Sequence, residues 1–130
     1  MAKVLMIDDD KDMCEEMIEV LKDAGIEVNA VCDPAIGLEL AQEKRYDLLL
    51  LDLKMPGITG YDILRSVKNL DKKIKVMVIT GAPLKKISEA ELKDDDKYRN
   101  QILELADEVV NKSADIGMIL DKIRELTQKA

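Results

Sequence analysis

The chain contains no histidine, phenylalanine or tryptophan, and its aromatics are three tyrosines, 2% of 130 residues. Without histidine there is no imidazole to act as a general base, to carry a phosphoryl group or to bind zinc. Without large aromatics, the core has to be built from Leu, Ile, Val, Met and Ala. Positive charge is also short: 20 Lys and Arg stand against 27 Asp and Glu, a formal net charge of −7. No Lys/Arg run forms a stripe, which argues against nucleic acid as a partner of the bare surface. No apolar stretch approaches membrane-spanning length. The first apolar run, Val4 to Ile7, is short and followed by three acids, which is not a signal peptide. The expectation is a cytoplasmic protein with neither membrane nor nucleic acid among its partners. Cysteine is scarce too. Cys14 and Cys32 are far apart and flanked by apolar or helical sequence, so both read as buried, reduced thiols of a reducing compartment.

What is present suffices for one packed unit. Apolar residues make up 47% of the chain, and the length favours a single domain over residues 1–130. Strand and helix patterns alternate from end to end, the signature of an α/β layer fold. Strands are expected over Lys3–Ile7, Ile26–Val31, Asp47–Leu51 and Ile74–Ile79, with a short fifth at Val109–Val110. Met13, Met17, Val20, Leu21 and Ala24 keep helical spacing after the first strand, and Gly25 ends that helix. Asp33-Pro34 opens a second helix, an acid to cap it and proline at its first position. That helix turns Leu38 and Ala41 inward and stops near Arg45. Tyr61–Leu70 makes a third. Ile116, Ile119, Leu120, Ile123 and Leu126 form the inner stripe of a last one. Residues 81–107 hold two weak helical patterns, 84–93 and 97–105, which one bent helix or two would satisfy. Right-handed crossovers give a five-stranded parallel sheet with helices on both faces.

Polar residues follow four of the apolar runs. Asp8-Asp9-Asp10 follow the first strand, Asp52 the third, Thr80 the fourth and, past Asn111, Lys112 the fifth. In an open parallel sheet the carboxyl ends of the strands line one crevice where ligands bind. Acids, a hydroxyl and an ammonium would therefore meet at one edge, which suits a divalent cation and a phosphoryl group. Each residue alone has a plainer reading. Asp10 caps the first helix, a lone Asp52 would be a turn residue, a lone Thr80 an ordinary strand residue, and a lone Lys112 a solvated surface lysine. The methionines at helical spacing are core filler, and Asp94-Asp95-Asp96 is a solvated turn. Thr80 and Lys112 gain weight only as members of the set.

The segments Ile7-Asp8-Asp9, Leu51-Asp52-Leu53-Lys54-Met55-Pro56-Gly57, Ile79-Thr80-Gly81 and Asn111-Lys112, in that order, resemble the response-regulator receiver domains of two-component signalling, the CheY-like superfamily. The likeness covers essentially the whole chain. It implies a flavodoxin-like, doubly wound sheet of order 2-1-3-4-5. It implies Asp52 as phosphoacceptor, taking a phosphoryl group from a partner histidine kinase or histidine phosphotransfer protein. It further implies Mg²⁺ bound by Asp9, Asp52 and the backbone carbonyl of Lys54, with Asp8 acting mostly through a water. Thr80 and Lys112 would contact the phosphoryl oxygens, and Gly81 would leave room and offer its N–H. The protein would be no enzyme beyond its own phosphorylation and slow self-dephosphorylation. The last expected helix ends near residue 130, so a stand-alone receiver is expected, its output passing through a downstream protein.

The chain departs from the family pattern in places. Ser113 follows Lys112 where the family usually has proline. Val109 stands where the family often has Tyr, Phe or His. The 81–107 connection is about ten residues longer than is usual, and most connections are short. Lys54 and Ala82 flank the path of the hydrolytic water in the family, and here they predict a long-lived phosphoryl group. Two other functions stay open: a degenerate receiver that binds partners without phosphorylation, and a Mg²⁺ phosphohydrolase with an aspartyl nucleophile. The second is opposed by Lys54, which stands where that class places another acid.

Overall fold

Five parallel strands, β1 (Lys3–Ile7), β2 (Glu27–Val31), β3 (Leu48–Asp52), β4 (Lys75–Thr80) and β5 (Glu108–Asn111), lie in the order β2-β1-β3-β4-β5. The helices are α1 (Lys11–Asp23), α2 (Pro34–Glu43), α3 (Gly60–Leu70) and α4 (Ile116–Thr127). This computed structural model describes residues 2–43, 45–53, 59–70, 73–81 and 101–127. Lys54, residues 55–58, Ala82, Asp94-Asp95-Asp96 and the choice between one helix and two after Gly81 lie outside the described residues. Residues 101–103 are helical.

Burial follows from strand periodicity, since successive side chains point to opposite faces. Leu5, Ile7, Leu49, Leu51, Val76 and Val78 join Ile63, Leu64 and Val67 of α3 on one side, with Leu38, Leu40 and Ala41 of α2 packed against them. Val4, Met6, Leu48, Leu50, Met77 and Ile79 face the other way, onto Cys14, Met17 and Leu21 of α1 and Ile119 and Ile123 of α4. β3 is therefore buried along its whole length, as its four consecutive leucines predict.

Local signals set the element ends. The Asp10 side chain accepts from the Met13 N–H at 3.2 Å and caps α1. Gly25, at φ +77°, closes that helix, and the Ile26 N–H reaches back to the Leu21 carbonyl at 2.9 Å. The Asp33 carboxylate accepts from the Ala35 N–H at 2.8 Å and the Ile36 N–H at 3.3 Å at the start of α2. Thr59 and Asp62 cap α3 reciprocally, with their hydroxyl and carboxylate 2.9 Å apart. The observed strands shift from the expected bounds by a residue or so. β3 and β4 each run one residue further, so that Asp52 and Thr80 are the last residues of their strands, and β5 extends to both sides of Val109–Val110.

One expectation fails. Cys14 is buried, but Cys32 is exposed. Cys32 lies just past the end of β2, an edge strand with no fully buried residue, so its apolar neighbours in sequence do not enclose it.

Candidate functional site

The carboxyl ends of β1, β3 and β4 bring the site together. Ile7, Leu51 and Val78 are neighbours in register across these strands, and Asp52 is paired with Ile79. Asp8 follows Ile7 directly, so its side chain is level with that of Asp52. Asp8 is 1% exposed and Asp52 4%, while Asp9 is exposed. Each of the three offers a carboxylate oxygen, and these oxygens all lie within 4.8 Å of one another.

Like charges this close repel, and burial of two of them strips the water that would otherwise stabilise them. Lys112 supplies part of the remedy. Its ammonium lies 3.2 Å from Asp8 and 3.5 Å from Asp52. Burial alone would lower the affinity of Lys112 for its proton, but the charges of Asp8 and Asp52 outweigh that and hold its pKa above the ordinary value. One ammonium does not balance three carboxylates. Asp8 Oδ1 accepts from the Asp10 N–H at 2.9 Å and from the Lys112 ammonium at 3.2 Å. Asp8 Oδ2 is equally near that ammonium, yet it is off the hydrogen-bonding line and accepts no hydrogen bond. A buried carboxylate oxygen in that condition is costly. A hard cation that takes oxygen ligands, such as Mg²⁺, fits it.

Thr80 is buried at the end of β4 and paired with Asn111, and its carbonyl accepts from the Lys112 N–H at 2.9 Å. Gly81 follows it, exposed; among the described residues, a Cβ there would meet only the Lys112 stem, in ordinary contact. Gly60 is a position to which the sequence analysis assigned no role. A Cβ on it would collide with the Asp52 carbonyl and with Leu53, and its N–H donates to the Leu53 carbonyl at 3.1 Å. α3 thus starts directly against the backbone that carries Asp52. The structure brings Asp8, Asp9, Asp52 and Lys112 together and puts Thr80 at the same sheet edge. Lys54 lies outside the described residues.

The family model of the response regulator receiver domain matches residues 4–124. The chain belongs to that family. Among curated relatives, the response regulator receiver protein CpdR of Brucella abortus (strain 2308) is 35% identical over 81 residues, 62% of this chain and 68% of CpdR. Sporulation initiation phosphotransferase F of Bacillus subtilis (strain 168) is 32% identical over 79 residues, 61% of this chain and 64% of that protein. Other matches span about a third of the relative's length, 34% for a receiver protein of Anaeromyxobacter sp. (strain Fw109-5) and 35% for the transcriptional regulatory protein CusR of Escherichia coli (strain K12). Among solved structures, response regulator TrrA of Thermotoga maritima in complex with Mg²⁺-BeF has a TM-score of 0.80 at 25% identity, covering 97% of this chain and 99% of that one. TrrA has also been solved in complex with histidine kinase ThkA. A CheY-like receiver domain from Methanospirillum hungatei JF-1 has a TM-score of 0.81 at 22% identity, covering 96% and 92%.

Lacking the proline, this receiver fixes its last-strand lysine by another device. Asn111 Oδ1 accepts from the Ser113 N–H at 2.8 Å and from the Ser113 hydroxyl at 2.7 Å. The Asn111 carbonyl accepts from the Ala114 N–H at 3.0 Å. An asparagine bonding two residues ahead is an Asx turn. It bends the chain just after β5, and the Lys112 N–H stays on the Thr80 carbonyl. The signal lay in the sequence as Asn-x-Ser, but a single Asx residue forms no pattern among many. No peptide bond among the described residues is cis, Lys112–Ser113 included. Val109 is half-buried against the α3 side of the sheet.

Asp107, just before β5, is a second position the sequence left unremarked. Burial pushes its carboxyl pKa up. The hydrogen bond from Lys68 at 2.8 Å, the Val76 N–H at 2.8 Å and the charges of Lys68 and Lys75 overcome this and hold it below the ordinary value. The Cys14 thiol is pushed up to about 12, first by burial and then by Cys32 and the nearby acids.

Proposed function

We propose that this receiver accepts a phosphoryl group on Asp52 from the phosphohistidine of a histidine kinase or histidine phosphotransfer protein, and that the modified domain signals through another protein. The single observation that carries this reading is the meeting of three carboxylates and one ammonium, with a buried Asp8 oxygen that accepts no hydrogen bond. Asp8, Asp9, Asp52 and the Lys54 carbonyl would hold Mg²⁺. When bound, the ion neutralises charge on the carboxylates and on the phosphoryl oxygens. Asp52 supplies the nucleophilic oxygen. Lys112, already aimed at Asp52, pairs with the negative charge that the group brings. Thr80 offers a hydroxyl at the same edge, and Gly81 leaves the approach open. The solved complexes of TrrA, with Mg²⁺-BeF and with a histidine kinase, support the reading by likeness. So does phosphotransferase F among the curated relatives. Among the described residues no helix is long and apolar enough to cross a membrane.

The test is treatment with acetyl phosphate, with and without Mg²⁺, read by intact mass. One phosphoryl group should appear on the wild type only when Mg²⁺ is present, and none on Asp52→Ala. Unmodified wild type under both conditions would favour the alternative, a receiver that binds partners without phosphorylation. Val109, in place of the family's aromatic, is the observation on that side. The intact acidic set weighs more.

A further inference from the structure

The two cysteines lie on either side of Asp8, beside the acidic site. β1 and β2 are in register through Ile7 and Val31, and the Asp8 N–H donates to the Val31 carbonyl at 3.2 Å. Cys32, the next residue, therefore stands beside Asp8 on the edge of the sheet. From the helix side, Cys14 in α1 donates its thiol hydrogen to the Asp8 carbonyl at 3.3 Å. The two thiols flank one backbone residue. Val31 packs on the α3 side of the sheet and Ala30 on the α1 side, so alternation along the strand turns Cys32 to the α1 side, where Cys14 sits. Both are free, Cys32 exposed and Cys14 buried.

We propose that Cys14 and Cys32 form a dithiol–disulfide site whose oxidants are low-molecular-weight disulfides. A disulfide forms only where two cysteine side chains already face each other at short range. Here a helix packed on the sheet supplies one partner and the end of an edge strand the other. Solvent reaches Cys32 first. Its thiol gives a proton to water, and the sulfur attacks one sulfur of the oxidant. The oxidant's S–S bond breaks, and the departing thiolate takes up a proton. Cys14, losing its own proton, then attacks the Cys32 sulfur of the mixed disulfide. The second half of the oxidant leaves as a thiol. Two electrons have passed from the cysteine pair to the oxidant, one disulfide has become two thiols, and one new S–S bond joins α1 to the end of β2. Closure also removes the thiol hydrogen from the Asp8 carbonyl, so the redox state and the acidic site share a residue. The chemistry does not depend on phosphotransfer and stands or falls separately from it.

The experiment incubates the folded wild type with oxidised glutathione in a chelating, metal-free buffer. The reaction is quenched with an alkylating agent and read by intact mass and peptide mapping. The expected product is a monomer that has lost two hydrogens and gained no alkyl group, with the Cys14 and Cys32 peptides joined. Dithiothreitol should reverse it. Cys14→Ser should instead stop at a stable glutathione adduct on Cys32. If that variant does not fold, the wild-type peptide map decides alone. A lasting glutathione adduct on wild-type Cys32, a covalent dimer through Cys32, or two alkylated thiols after full incubation would each overturn the proposal.

Discussion

β3 and β5 each deliver a charged residue to the same crevice, and they hold it in opposite ways. β3 lies at the centre of the sheet, apolar and buried on both faces, and ends on Asp52. β5 is an edge strand of four residues with one fully buried position. Lys112 beyond it is held by the Thr80 carbonyl and by the Asn111–Ser113 turn. The acids are thus positioned by the hydrophobic core and the ammonium by a few polar contacts. Damage to the two halves of the site should look different in the laboratory.

The largest effect is expected at the centre. Leu49→Ala removes a fully buried side chain and should cost about 2–5 kcal/mol of unfolding free energy in urea. Mg²⁺-dependent phosphorylation of the fraction that remains folded should change little. Next comes Asp107→Asn, which breaks the link from Lys68 to the start of β5. Charged hydrogen bonds contribute roughly 1.5–3 kcal/mol. Because the carboxylate is part-exposed, screening reduces the expected loss to about 1–2 kcal/mol. Asp107 has a folded-state pKa below its ordinary 3.8, so its contribution is complete above pH 3.8 and disappears as pH falls through the folded value. Stability curves of wild type and variant should therefore converge in acid, and parallel curves down to the lowest pH would contradict this.

Asn111→Ala should cost only about 1 kcal/mol of stability but should slow acetyl phosphate labelling of Asp52 by up to about tenfold. Asn111→Asp keeps the acceptor oxygen and should recover most of that rate. An unslowed Asn111→Ala would mean that the edge strand needs no turn to place its lysine. The smallest effect is a gain. Asp9→Asn removes one of three crowded charges at an exposed position. It should raise metal-free stability by about 0.5 kcal/mol, the scale of exposed charge interactions, while weakening the rise in melting temperature that Mg²⁺ gives the wild type.

The same contrast governs how far the sequence could be read. Val4–Ile7, Leu48–Leu51 and Val76–Ile79 are legible because strands buried on both faces need unbroken apolar runs. The residue after each run is then placed by topology alone. Asp8, Asp9, Asp52 and Thr80 could be named as one set for that reason. Lys112 was named with them from a fainter signal, since an edge strand leaves a weak apolar signature and its support is a side-chain turn. Cys32 was misjudged for a related reason: its neighbours suit a buried strand, but β2 has a partner on one side only. The close approach of Gly60 to Asp52 joins the first residue of a helix to a strand end, which no periodicity reports.

Asp107 holds the amino end of β5 from three directions: its N–H on the Val76 carbonyl, its carboxylate on the Val76 N–H, and the Lys68 ammonium bridging that carboxylate to the Ile74 carbonyl. The opposite end of the strand carries the crevice. β4 and β5 are therefore stapled by charge at the spine, while the Thr80–Asn111 pairing and the Lys112 N–H on the Thr80 carbonyl hold them at the margin; a parting that keeps the staple would open like a book, with its widest travel at Thr80 and Lys112.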